Sequence, residues 1–92
     1  MATEAIPKAT EVIPKALASA FILVSAQSGY ENEIRDDLLK LEPYVQEASV
    51  VYGSYDVVVR ASAESLGDLK EKVVEVIRKH KRINTTHTMI IM

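Results

Sequence analysis

VYGSYDVVVR, Val51–Arg60, is the stretch on which the fold turns. An apolar β-rich run meets Gly53-Ser54, and β-formers resume at Tyr55 and continue through three valines. Glycine followed by serine between two such runs punctuates strand, turn, strand. The spacing predicts one strand over 45–53 and a second over 55–62. A carboxylate, Asp56, stands where the second strand opens. It either caps the turn through nearby backbone amides or holds a ligand.

Working outward, SAFILVSA (19–26) is a further strand, ended by Gln27-Ser28-Gly29. YENEIRDDLLKL (30–41) places Tyr30, Ile34, Leu38 and Leu41 at helical spacing, with acids in the first turn and Pro43 beyond its end. On the other side, Ser65 followed three residues later by Asp68 predicts a capped helix. Its expected apolar face is Leu66, Leu69, Val73, Val76 and Ile77. The basic run RKHKR (78–82) suits that helix's C-terminal end and is read as a solvated helix end. TTHTMIIM (85–92) is the last strand. The order β-α-β-β-α-β is that of an α+β, ferredoxin-like fold: a four-stranded antiparallel sheet with both helices on one face. Right-handed crossovers put the first and third strands in the centre.

Two helices cover only one face of such a sheet. The strands nevertheless carry apolar residues at both parities in FILV (21–24), VVV (57–59) and MIIM (89–92). Sheets buried on both faces have this pattern, so the helix-free face is expected to pack on the same face of a second copy. The result is a homodimeric α+β sandwich or barrel.

Length and composition agree. The chain has 92 residues, which is one domain, and no Cys to reinforce a core that buries only about 60–65% of the unfolded surface. Thirteen acids against eleven bases leave a net charge of −2, without the basic footprint of an autonomous nucleic-acid binder. The longest uncharged apolar run, Ala16–Ala26, falls short of the ~20 residues that span a bilayer. MATEAIPK has no basic n-region, so the expected location is cytoplasmic. Residues 1–18 stand apart from the domain over 19–92. Ile-Pro-Lys occurs at 6–8 and again at 13–15, and each proline removes an amide donor and disfavours helix before it. This segment is either a tail or an arm that packs on a neighbouring subunit through Ile6 and Ile13.

Residues 19–92 resemble the effector-binding, oligomerising RAM domain of the Lrp/AsnC, or feast/famine, regulators. The resemblance is carried by Gly29 after the first strand, a helix ending before a Pro-containing turn, G-x-[YF]-D at Gly53-Ser54-Tyr55-Asp56, Ser65-Leu66-Gly67-Asp68-Leu69 at the second helix, and T-x-T at Thr86-His87-Thr88 before apolar residues. It implies dimers packed sheet to sheet, often assembled into octameric rings, with small amino acids bound in crevices between dimers. It also implies that the 53–56 turn and the T-x-T strand help line the effector pocket. The chemistry is suitable. Asp56 is an acceptor for an ammonium, Gly53 and Ser54 can present backbone amides to a carboxylate, Tyr55 is a wall with a polar tip, and Thr86 and Thr88 share one strand face. Family regulators carry a helix-turn-helix domain ahead of this one. Eighteen residues cannot hold three helices of about 11–12 residues each, so a stand-alone effector module is expected. It would act through full-length Lrp/AsnC-type regulators, with no direct nucleic-acid contact and no membrane.

The structural alternatives are open. Gly53 fits a plain turn, Tyr55 fits packing, and the threonines are ordinary β-formers. Arg60 shares a face with Asp56 and is paired or solvated. His80 and His87 are the only histidines and lie at no metal-ligand spacing, so no metal, cofactor or catalytic site is expected. Two other functions fit the fold: a small dimeric α+β barrel enzyme of the monooxygenase or isomerase kind, with His87, Tyr52 and Asn84 as its few polar candidates, or a ligand-free oligomerisation unit.

Overall fold

The computed structural model describes residues 18–91. The expectations for the arm through Ile6 and Ile13, and for Met92, lie outside these residues. The elements are β1 (Ala18–Ala26), α1 (Glu31–Leu39), β2 (Val45–Val50), β3 (Val57–Ala63), α2 (66–78) and β4 (Ile83–Ile91). The sheet order is β2-β3-β1-β4. All three pairings are antiparallel, and β1 and β3 are central, as the connection rules require.

One parity of each central strand makes the core. Ala20, Ile22 and Val24 of β1 and Val57, Val59, Ala61 and Ala63 of β3 are wholly buried. They meet Ile34 and Leu38 from α1 and Leu69, Val73 and Ile77 from α2. Each large side chain so buried contributes about 1.5–3 kcal/mol. The register opposes large to large (Ile22 to Val59, Val24 to Val57) and small to small (Ala20 to Ala61, Ala18 to Ala63). α2 begins just beyond Ala63, so its first turn, which contacts β1 and β3, lies over the alanine end of the sheet.

The helix signals hold in detail. Ser65 Oγ accepts from the Asp68 amide at 3.1 Å, and Glu31 and Glu33 occupy the first turn of α1. The expected α2 face needs correcting. Leu66 and Val76 are 56% and 43% exposed, and Val74 packs against the core instead. For Val76, the exchange with Val74 follows from a π-helical turn, Lys70–Val74, inside α2; Leu66 stands in the first turn, ahead of it. Residues four apart drift about 40° around an ideal α-helix. A wider turn reduces that drift and keeps Leu69, Val73 and Ile77 on one line. The expected hairpin is also looser than a Gly-Ser turn. β2 ends at Val50 and β3 starts at Val57, while β4 begins two residues earlier than its apolar pattern suggests.

The opposite sheet face carries Phe21 and Leu23 from β1, Val58 from β3, and Met89 and Ile91 from β4, as the pairing register dictates. No element among the described residues covers it. Phe21, Met89 and Ile91 are exposed. Polar groups share this face on the central strands. Ser19 and Ser62 hydroxyls bond at 2.9 Å, and Arg60, beside Phe21, is paired with Glu47 of β2 at 3.5 Å.

Candidate functional site

The six proposed ligand residues fall into two groups on either side of β1. The first group is the β2–β3 turn. Gly53 adopts φ +141°, a backbone conformation that favours glycine, and a Cβ there would meet nothing within 4 Å. The turn therefore needs glycine for its path, not for room. Gly53, Ser54 and Tyr52 are exposed at its tip. The Tyr55 ring is half-buried and inclined at 34° to that of His87, 6.5 Å away.

Asp56 is tied down. Its amide donates to Val24 O at 2.8 Å, and its carbonyl accepts from Val51 N at 2.8 Å. Its Oδ2 accepts from the Ala26 amide at 2.8 Å. The pairing of β1 with β4 shifts register between Ser25 and Ala26. At that irregularity two side chains serve the Ala26 backbone: Asp56 takes its N–H, and Asn84 Nδ2 donates to its carbonyl at 3.3 Å. One carboxylate oxygen of Asp56 is thus structural, which joins the turn-cap reading to β1 in place of the turn itself.

The second group is on β4. Thr86 and Thr88 pair with Val24 and Ile22, the buried parity of β1, and so face the helix side. His87 pairs with Leu23 and faces the other way. A groove of about 490 Å³ runs between this edge strand and α2, lined by Val74, Arg78, Ile83, Asn84, Thr85, Thr86 and Thr88. An apolar cavity of about 230 Å³ adjoins it, with Leu66, Leu69, Lys70, Val74, Thr88 and Ile90 around it. No acid lines either one.

β1 lies between the two groups. Asp56 and Thr86 border it at the same level from opposite sides, about two strand spacings or ~10 Å apart. One chain brings Thr86 and Thr88 together and brings Gly53, Ser54, Tyr55 and Asp56 together, but does not merge the two sets. Arg78 and Val74 went unnoticed in the sequence. Arg78 belongs to the RKHKR run assigned to solvent, and its only signal is the four-residue spacing from Val74, which puts both on one side of a helix.

The other histidine is structural. His80 lies between the ends of α1 and α2. Its Nδ1 accepts from the Arg82 amide at 3.1 Å, which leaves Nε2 to donate to Asp37 Oδ2 at 2.9 Å. That hydrogen bond, opposed by partial burial and aided by Lys40, holds Asp37 below the usual carboxylate range. Arg82 stacks over Tyr30 at 4.0 Å and ties the same corner. Among the described residues no group of three or more His, Cys, Asp or Glu could hold a metal ion. No helix there is long and apolar enough to cross a membrane.

Comparison with known proteins agrees with this architecture. Residues 19–92 match the model of the Lrp/AsnC ligand binding domain. The hypothetical protein PHS023 from Pyrococcus horikoshii is 42% identical, with 83% of this chain and 90% of that one covered and a TM-score of 0.76. FFRP-DM1 is also 42% identical, with 83% of this chain and 100% of that one covered and a TM-score of 0.77. The transcriptional regulator NMB0573 of Neisseria meningitidis, solved as an L-Met complex, shares the fold at 17% identity and a TM-score of 0.73. There 90% of this chain is covered but only 54% of the regulator, so this chain spans about half its length. No curated protein matches the chain. With most of its length matched by one family model, the chain belongs to the Lrp/AsnC ligand-binding-domain family.

Proposed function

We propose that this chain is an effector-binding and assembly module for transcription regulation, which binds an amino acid and acts through Lrp/AsnC-type regulators instead of contacting DNA itself. The observation that carries this reading is the groove beside β4. Thr86, Thr88, Asn84 and Arg78 line it together, supplying hydroxyl, amide and guanidinium donors that suit a carboxylate. The L-Met complex of the Neisseria regulator supports an amino acid as the ligand class. The match to the whole length of FFRP-DM1 supports a module that works as a unit.

Assembly follows from the bare sheet face. Phe21, Leu23, Val58, Met89 and Ile91 form an apolar surface on which a second copy packs about a two-fold axis, and dimers then associate into rings. Within such an assembly the 53–56 turn of one subunit reaches the groove of another. The Asp56 oxygen not spent on Ala26 meets the ligand ammonium there. Occupancy thereby changes the assembly state, and the altered assembly is what a partner regulator senses.

The test is a thermal-shift screen of the common amino acids at millimolar concentration, combined with native mass spectrometry. At least one amino acid should raise the melting temperature and alter the mass distribution. Thr86→Val and Thr88→Val should reduce that shift and leave the unliganded melt nearly unchanged. If no amino acid shifts the melt or the mass, the chain is a ligand-free assembly unit.

A further inference from the structure

The apolar cavity beside Ile90 lies next to the point where the chain enters the fold. Ala18 opens β1, and Ala20, two residues on, pairs with Ile90. Strand geometry places Ala18 about 8 Å from Ile90. Ala18, Ala20 and Ile90 share the parity that faces the helices. α2 begins above the same end of the sheet, with Leu66 as its first residue. We propose that the residues before Ala18 fold back onto this cavity within one subunit, with Ile13 seated between Leu66 and Ile90. The proposal goes beyond the effector role and stands without it.

Leu66 is 56% exposed and Ile90 41%, although both line an aliphatic hollow with Leu69 and Val74. Its volume of about 230 Å³ is below the ~300–1,000 Å³ of ordinary small-molecule sites and suits a side chain. Residues 1–17 are the length of chain that precedes the described residues, and they end at Ala18, beside the cavity. Ile13 is five residues before Ala18. The connecting chain therefore reaches at most about 17 Å, which spans the gap and leaves length for the reversal. Ile6 has the same Ile-Pro-Lys context, but it closes a longer loop at greater entropic cost. Pro14 biases Ile13 toward extended backbone, so less freedom is lost on seating. Glu11 shares a side with Ile13 in an extended segment, and Lys70 is the one charged residue on the cavity wall, so the arm brings an acid to it. A tether this short sets an effective concentration in the millimolar range, which favours the arm of the same subunit over that of a neighbour. The cavity shares Val74 and Thr88 with the groove beside β4. A seated arm occupies the Ile90 end and leaves the Thr86 end open.

The chain has no Cys, so an engineered pair reports the contact without interference. Ile13→Cys combined with Ile90→Cys, in the full chain under mild oxidation, should form a disulfide that runs as a monomer on a non-reducing gel. Ile13→Cys combined with Glu64→Cys is the control, because Glu64 is exposed and follows Ala63, the partner of Ala18. The Ile90 pair should bridge roughly tenfold faster than the control, the bias expected from seating one isoleucine side chain. A second measurement leaves the arm unaltered. Leu66→Asp puts a charge into the cavity at a position where an acid suits the first turn of α2. It should speed tryptic cleavage after Lys15 about tenfold relative to the parent. Circular dichroism melts check that each variant folds. Monomeric bridging with faster cleavage in Leu66→Asp supports the seat. Covalent dimers would show that the arm reaches a neighbouring subunit and overturn the proposal. Bridging no faster than the control, or cleavage unchanged in Leu66→Asp, overturns it as well. Each of these results leaves the effector role standing, since no amino acid is present.

Discussion

Phe21 and Ile22 are neighbours in β1, and they belong to different structures. Ile22 points to the helices and is 0% exposed, whereas Phe21 points to the bare face and is 38% exposed. The same contrast recurs between Val59 and Val58 in β3. On the helix side each apolar residue finds its partner within the chain. On the other side comparable residues find none among the described residues. An apolar face of this kind on a 92-residue domain is what the proposed assembly would cover. One face stabilises the fold, and the other is the face proposed for assembly.

Breaking each face separately sharpens this contrast. The largest effect is expected from Phe21→Lys. It would bury an unpaired ammonium between two sheets at about 3–5 kcal/mol, a loss of at least roughly a hundredfold in association. Native mass spectrometry or sedimentation should then report monomers that retain the native far-ultraviolet spectrum. If assemblies persist unchanged, the bare face is not the interface. Ile22→Ala on the adjacent position should cost about 2–5 kcal/mol by leaving a cavity. It lowers the denaturation midpoint while the assembled mass is retained wherever the fold survives.

The two faces also differ in how far the sequence exposed them. β-rich apolar runs bounded by turn residues are enough for the strands and for the apolar excess on a second face, and helical spacing with the Ser65-Asp68 pair is enough for the helices and the cap. Those features rest on local pattern and burial. The failures involve longer-range geometry. Nothing local in KEKVV announces a π-helical turn, so α-helical spacing alone points Val76, not Val74, at the core. In the sequence Arg78 is one base in a solvated helix end, because the groove it lines exists only once α2 lies along β4. Asp56 was legible as a residue with a task, but the task depends on a register shift at Ser25/Ala26 in another strand. GSYD and T-x-T were legible as motifs. Their separation across β1 follows from strand order, which spacing along the chain does not measure.

The smaller effects concern the two carboxylates that connect separate elements. Asp56→Ala would leave the Ala26 amide without its acceptor in a partly buried site, at about 1–2 kcal/mol. Asp56→Asn, which keeps a side-chain acceptor, should recover most of that in urea denaturation. If Asp56→Ala is neutral, the residue is not a structural tie, and its role is confined to the ligand.

Asp37 is expected to have the smallest effect, and its sign is set by His80. The hydrogen bond from His80 favours the ionised carboxylate, so Asp37 loses its proton more readily in the folded chain than in the unfolded one. Its contribution is therefore fully present above the ordinary carboxylate range and fades as pH falls through the lowered folded value. The side chain is 38% exposed, which screens the interaction and keeps the effect well below that of Asp56. Stability measured from neutral pH downward should decline less steeply at its acid end in Asp37→Asn than in the parent. An identical acid limb in both would mean that the contact joining α1 to α2 contributes nothing measurable. Because this corner lies on the helix side, Asp37→Asn should leave the assembled mass unchanged, in contrast to Phe21→Lys.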